Sequence, residues 1–308
     1  MPYTGELIAL ATVLCWTLSV QFFEAAAQRV GPVYVNIIRL LVAFTLFSLL
    51  LLWRDGSLLP IRFSTHAWLY LGLSGVVGFF LGDILLFRAL VELGPRVAML
   101  IFSLSAPAAA IMGWLFLAES YGAWQWLGML ITLSGVGIVV FERNPAQSQS
   151  QGPQKSTTRR ISGRGVLFGC GAMLGQAGGY VLSKVGMWTG TGYLDAFAST
   201  QIRVVAALVC ILVYFTIAGK WSSLRLVLRD GKAVGFTAIG ATVGPFLGVS
   251  LSLLVLHYLT TGVASTFLSL VPVFIIPFSI FLHKEHVSFR AIGGAVLAVF
   301  GISLLSVL

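Results

Sequence analysis

Apolar residues in this chain run in blocks of about twenty, and the polar residues gather in short gaps between the blocks. A helix needs about 20 apolar residues to cross the hydrocarbon core of a bilayer, so each block is the length of one spanning helix. Ten such stretches are legible: 5–27, 32–52, 67–90, 94–117, 123–141, 165–187, 194–217, 233–256, 260–282 and 288–307. Most gaps are tight turns such as RVGP (29–32) and ELGPR (92–96). The segment 142–164 differs: ERNPAQSQSQGPQKSTTRRISGR is polar, bears Pro and Gly and lacks periodicity, so it reads as a flexible linker. It divides the chain into 1–141 and 165–308, five stretches each.

The halves resemble one another. Arg39 matches Arg203, Gly75 matches Gly240, Pro107 matches Pro272 and Glu119 matches Glu285. Trp16 falls opposite Gln176, Glu24 opposite Lys184, Gly128 opposite Gly294 and Gly135 opposite Gly301, with an offset that drifts only from 160 to 166. A duplicated unit of five spans enters the membrane from the opposite side the second time. The expected fold is therefore an all-α integral membrane protein of ten transmembrane helices, arranged as two inverted five-helix repeats around a midplane site.

Composition agrees. Hydrophobic residues make up 58% of the 308 and charged residues 9%, against about a quarter charged in a soluble domain. The formal net charge of +9 sits in the gaps, where anionic headgroups and water are its partners, so no nucleic acid is expected. Cys15, Cys170 and Cys210 lie inside apolar runs without CxxC spacing, which makes them packing residues rather than a disulfide or metal site. No Lys or Arg precedes Arg29 and the first apolar run is too long for a signal peptide, so it is expected to remain as a span.

GDILLFRALVELGPRVAMLIFSLSAP (82–107), GWLFLAES (113–120) and WLGMLITLSGVGIVV (126–140) resemble the third to fifth helices of EamA-type members of the drug/metabolite transporter superfamily. TTGVASTFLSLVPVF (260–274) and KEHVSFRAIGGAVLAVFGISLL (284–305) are similar to the same pattern more loosely. The resemblance implies ten helices, a central cavity and transport of a small metabolite, often an amino acid and commonly outward, across the cytoplasmic membrane. His283, Lys284 and His286 crowd the second acidic turn, where the first copy has Ala118 and Ser120.

Several residues are candidates for the work of transport. Pro107 and Pro272 each remove a backbone donor and free the carbonyls of Ser103 and Leu268, which marks a kink facing a cavity or a static bend. Gly171, Gly175 and Gly179, Gly240, Gly244 and Gly248, and Ala11, Cys15 and Ser19 form stripes for close helix approach. Arg39 and Arg203 lie about two turns inside their spans, where a charge costs about 2.5–3.5 kcal/mol on insertion scales. Glu24 lies on the side of Arg39, and Lys184 within reach of Asp195, as gate ion pairs or structural staples. Asp83 is the most deeply placed carboxylate, a candidate proton- or ion-coupling site; Arg88 and Glu92 are spaced to pair with each other. Trp16, Asn36, Phe87, Ser103, Gln176, Tyr180 and Gln201, with the two arginines, would line a site for an amphipathic small molecule. The fifth and tenth stretches, almost bare of polar side chains, read as scaffold, or as a face for lipid or for a homodimer.

An enzyme fits poorly: HExxH is absent, FLGD (80–83) has Phe80 where GxGD needs glycine, and none of His66, His257, His283 and His286 sits mid-helix beside a carboxylate. No cofactor or metal is expected. A channel would show a ring of like charges or repeated filter loops, and neither is written here. Of the 15 basic residues outside the spans, 13 fall in the loops following stretches one, three, five, seven and nine. The positive-inside rule makes that side cytoplasmic and both termini external, whereas the family resemblance places both termini in the cytoplasm.

Overall fold

The computed structural model describes residues 3–93, 95–141, 162–275 and 289–307. The linker segment 142–161 and the turn holding His283, Lys284, Glu285 and His286 lie outside them. Among the described residues the chain is helical, without a strand. Eight of the described helices are long and apolar enough to cross a membrane: α1 (Thr4–Val30), α2 (Pro32–Asp55), α3 (Thr65–Leu93), α4 (Val97–Leu117), α5 (Ala123–Phe141), α6 (Gly163–Met187), α7 (Ala196–Ile217) and α8 (Gly231–Val255). Two shorter apolar helices follow, α9 (Thr261–Ile275) and α10 (Phe289–Leu305). A short helix, Trp221–Val227, bridges α7 and α8.

In hydrocarbon a hydroxyl must find a partner in its own bundle. Thr12, Thr17, Ser183, Thr200, Thr237 and Thr266 each donate to the carbonyl one turn back in their own helix, at 2.6–2.8 Å. These buried hydroxyls are thereby satisfied without reaching across helices.

The packing of the second half repeats that of the first. α1 lies on α8 as α6 lies on α3; α1 lies on α9 as α6 lies on α4; α2 packs on α7 and α5 on α10. Exchanging the halves maps this set of contacts onto itself. Bonds between loops sort into two ends of the bundle. At one end Arg29 pairs with Asp230 and Ser162 donates to Glu92. At the other, Arg54 pairs with Asp195, Lys184 with Glu119, and Gln201 donates to the Leu58 carbonyl.

Among the described residues four helices are interrupted, in two matched pairs. α4 breaks at Leu104, whose N–H donates to the Ile101 carbonyl, three residues before Pro107. α9 breaks at Ser269–Leu270, just before Pro272. In α3 and α8 the break is a widened π segment instead, Gly75–Gly82 and Thr242–Val249, the second containing Pro245. These wide turns leave carbonyls out of the regular ladder and often mark functional places.

Glycines set the closest crossings. A Cβ at Gly75 would strike the backbone of Arg203 in α7, and one at Gly175 would stand 3.2 Å from the Cα of Gly82. On the α1–α8 crossing, Gly240, Gly244 and Gly248 face Phe23, Ser19 and Trp16. α5 and α10 meet through Gly128, Gly135, Gly294 and Gly301, and a Cβ at Gly135 would overlap the backbone of Ala298. Gly135→Ala should therefore lower stability by about 1–3 kcal/mol. Gly137→Ala, whose new atom would meet only Leu100 Cδ1 at 3.5 Å, should be nearly neutral; thermal melting of both variants in detergent checks the contrast.

Candidate functional site

The π segment of α3 runs between two arginines, the half-buried Arg39 and the buried Arg203. Asp83, immediately after it, forms a close ion pair with Arg39 of α2. The Arg39 Nε also donates to Asn36 Oδ1 at 2.8 Å, one turn back, and its guanidinium stands 5.7 Å from the Phe23 ring. Asn36 is thus committed to orienting the arginine. At the other end of the segment, Gly75 and Gly78 make room for Arg203 of α7. Arg203 is only 3% exposed, stands 4.4 Å from the Phe79 ring, and keeps its Nε and Nη1 without a hydrogen-bond partner. Ser199, one turn earlier on α7, also has an unpartnered buried hydroxyl. Tyr180 lies within electrostatic reach of Arg203, and its hydroxyl accepts from Gln176 Nε2 at 2.9 Å.

A second cluster closes one end of the bundle. α4 ends in a left-handed turn at Ala118, which carries Glu119 back beneath the helix. The Glu119 carboxylate, 9% exposed, accepts from Lys184 Nζ at 2.7 Å, from the Thr261 N–H at 2.9 Å, from Thr261 Oγ1 at 2.6 Å and from the Tyr121 hydroxyl at 2.5 Å. It therefore ties α4 and α6 to the first turn of α9, where the unpaired N–H groups of a helix favour an anion. Burial alone would raise its pKa, but the bonds from Lys184, Thr261 and Tyr121 outweigh that and hold it below its ordinary value. Tyr121 is pushed the other way, to about 12, by burial and by the carboxylate it donates to.

These partners differ from those expected of the gate residues. Lys184 reaches Glu119 and not Asp195, because Asp195 is the N-cap of α7, accepting from the Ala198 N–H at 2.8 Å, and pairs with Arg54. Glu24 is exposed and accepts only from Gln28, at 3.4 Å; α1 turns Phe23 and not Glu24 toward Arg39. Arg88 lies over the Phe168 ring, while Glu92 takes the Ser162 hydroxyl, so the two do not pair. Asp83 is not a lone carboxylate, since α3 carries it to the depth of Arg39.

The proposed lining is dispersed as well. Ser103 is buried and spends its hydroxyl on the Leu100 carbonyl at the α4 break. Gln201 ties α7 to α2 and the following loop, donating to Ser48 Oγ at 3.0 Å and to the Leu58 carbonyl. Trp16 and Phe87 are half-buried, the former against Gly248. Pro107, half-buried beside the α4 break, borders an apolar recess of about 1270 Å³ between α4, α5 and α10 that holds none of the polar candidates. Pro272 is half-buried beside the α9 break. No group of three or more metal-ligating side chains occurs among the described residues.

A helical bundle whose two halves repeat one packing scheme, with ion pairs at depth and interrupted helices at matched positions, is a multi-pass membrane protein of transporter type. The chain belongs to the EamA-like transporter family, which matches residues 3–141 and again 163–307. That family lies within the drug/metabolite transporter superfamily. No curated protein matches the chain. One solved structure, titled only "Crystal structure of protein", is similar over 99% of this chain and 98% of its own, with a TM-score of 0.66 at 14% identity, which shows a shared fold.

The Glu119 cluster makes a pH-dependent contribution with a definite sign. A carboxylate whose folded pKa is depressed stabilises above its unfolded value, near 4.5, and loses that stabilisation as pH falls through the lower folded value. Thermal melts of the wild-type protein should thus decline in the acid range below pH 4.5. Glu119→Gln strands Lys184 beside a neutral amide and should cost about 3–5 kcal/mol at neutral pH, with a flatter decline in acid.

Proposed function

We propose that the protein is a secondary transporter that moves a small amphipathic, amino-acid-like metabolite outward across the cytoplasmic membrane by alternating access. Its ten spans form two inverted five-helix repeats in this reading. The observation that carries it is the matched pair of interruptions, π segments in α3 and α8 and proline breaks in α4 and α9, on helices that repeat one packing scheme. Interrupted helices at corresponding places in two repeats are the usual builders of a midplane substrate site. Support for the inversion comes from the loop bonds: α1 ends at the Arg29–Asp230 end of the bundle, whereas α6 ends at the Lys184–Glu119 end.

Within this reading Arg203, Tyr180, Gln176, Trp16 and Phe87 face the solute. Asn36, Ser103 and Gln201 hold the frame. Lys184, Glu119 and Thr261 form a closed gate at one end, and Arg54 with Asp195 stands at the same end. Exposed Trp124, Leu130, Val296 and Phe300 on the outer faces of α5 and α10 meet lipid or a second copy of the chain.

Asp83 is the coupling group. A proton arriving on its carboxylate releases Arg39, and losing that proton restores the pair, so occupancy at this point reports which side the site faces. Solute counterflow in proteoliposomes, screened across amino acids, nucleosides and small organic amines with and without a pH gradient, tests transport itself. Counterflow of none of these solutes would remove the reading. Asp83→Asn should retain counterflow but lose its response to the gradient, and an unchanged response would end the coupling role.

A further inference from the structure

The two repeats place an arginine at the same position in α2 and α7, yet among the described residues only Arg39 has an anion. Arg39 meets Asp83, the residue directly after the first π segment. The residue directly after the second π segment is Ser250, whose hydroxyl is spent on the Phe246 carbonyl at 2.7 Å. No acid follows the second π segment as Asp83 follows the first, and Gly248, which the Gly75–Gly240 register sets opposite Asp83, is not acidic either. Among the described residues no carboxylate pairs with Arg203, and two of its three guanidinium nitrogens are enclosed without any acceptor.

A cation left this way is costly. Removing one partner of a buried ion pair leaves an uncompensated charge, and the chain has kept the charge while an apolar side chain of similar length would fill the space. The surroundings do not compensate it by hydrogen bonding. Phe79 covers one face of the guanidinium, Gly78 and Gly179 bring bare backbone close, and Ser199 on the same face of α7 has a hydroxyl free to donate. An enclosed guanidinium fork, a hydroxyl one turn away and a phenol within reach form a recognition set for a planar anion.

We propose that Arg203 is the binding site for the carboxylate of the transported solute, which supplies the counter-ion that no described side chain provides. This rests on the transporter reading above and narrows it: the solute is an amphipathic carboxylate, zwitterionic or singly anionic, with its acid group at Arg203. The aromatic side chains nearby, Phe79 and Tyr180, face its apolar part. Arg39, already neutralised by Asp83, takes no part in holding the acid group.

The test uses the full-length protein in detergent and matched probes that differ only in charge: phenylacetate against phenylacetamide, isovalerate against isovaleramide, and leucine against leucinamide. For at least one pair the wild-type protein should bind the carboxylate roughly tenfold to a hundredfold more tightly than the amide, read from the concentration that raises the melting midpoint. Arg203→Gln should bind both members of that pair alike. Arg203→Met, in the absence of any probe, should melt at or above the wild-type midpoint, because a lone buried cation has been removed. No carboxylate preference in any pair, a preference that survives in Arg203→Gln, or a Met variant that melts well below wild type would each overturn the proposal, the last by making Arg203 a structural strut. Counterflow in proteoliposomes separates this from the parent reading. Carboxylate-selective binding without flux refutes transport and keeps the anion site, and flux without carboxylate selectivity does the reverse.

Discussion

A backbone in hydrocarbon has no water to fall back on, and every other feature of this protein follows from that. Continuous helices satisfy their own peptide groups, and the buried hydroxyls of Thr12, Thr17, Ser183 and Thr237 fold back on the same ladder. Once the regular helix is so strongly favoured, each departure from it stands out. The departures here are few and recur at corresponding places: Leu104 with Ser269–Leu270, and Gly75–Gly82 with Thr242–Val249, which starts two residues past the match of Gly75. Proline produces three of the four, by removing the donor that the ladder needs. Gly75–Gly82 contains no proline; it is rich in glycine instead, and its widened turn lies directly on Gly175 and Gly179 of α6.

Duplication supplied one backbone plan twice, and the side chains have since divided the roles. An acid follows the first π segment and a serine the second. The end of α1 carries an exposed Glu24 where α6 carries Lys184 locked onto Glu119. In the alternating-access reading proposed above, a symmetric frame with asymmetric charge suits two end states of similar but not identical energy.

Much of the frame was legible in the sequence because membrane spans are written in length and apolarity, which survive without knowledge of neighbours. The duplication was legible for a related reason: Arg39 and Arg203, or Pro107 and Pro272, are conspicuous in an apolar background. What could not be read was pairing. Asp83 and Arg39 are 44 residues apart, and Glu119 and Lys184 65; nothing in the chain says which depth of which helix lies opposite which. Glu24 and Asp195 were the nearest opposite charges along the sequence to Arg39 and Lys184, and sequence proximity misled. The π segments were also hidden, since GVVGFFLG differs little from any glycine-bearing span. The matched glycines were a trace of them, and only the crossing with α6 shows what they are for.

The missing side chain of Gly75 has a further consequence, for assembly. It is the backbone of Arg203, from the other repeat, that fills the space a Cβ would take. α3 is thus shaped for a surface that does not exist until α6 and α7 have been made. While the chain is being inserted, the first five spans must wait in the bilayer with that glycine face against lipid, open to any other helix with small residues. The polar linker, by keeping the second repeat on the same chain, raises its local concentration above that of strangers. Covalent continuity, on this account, protects the order in which the bundle closes.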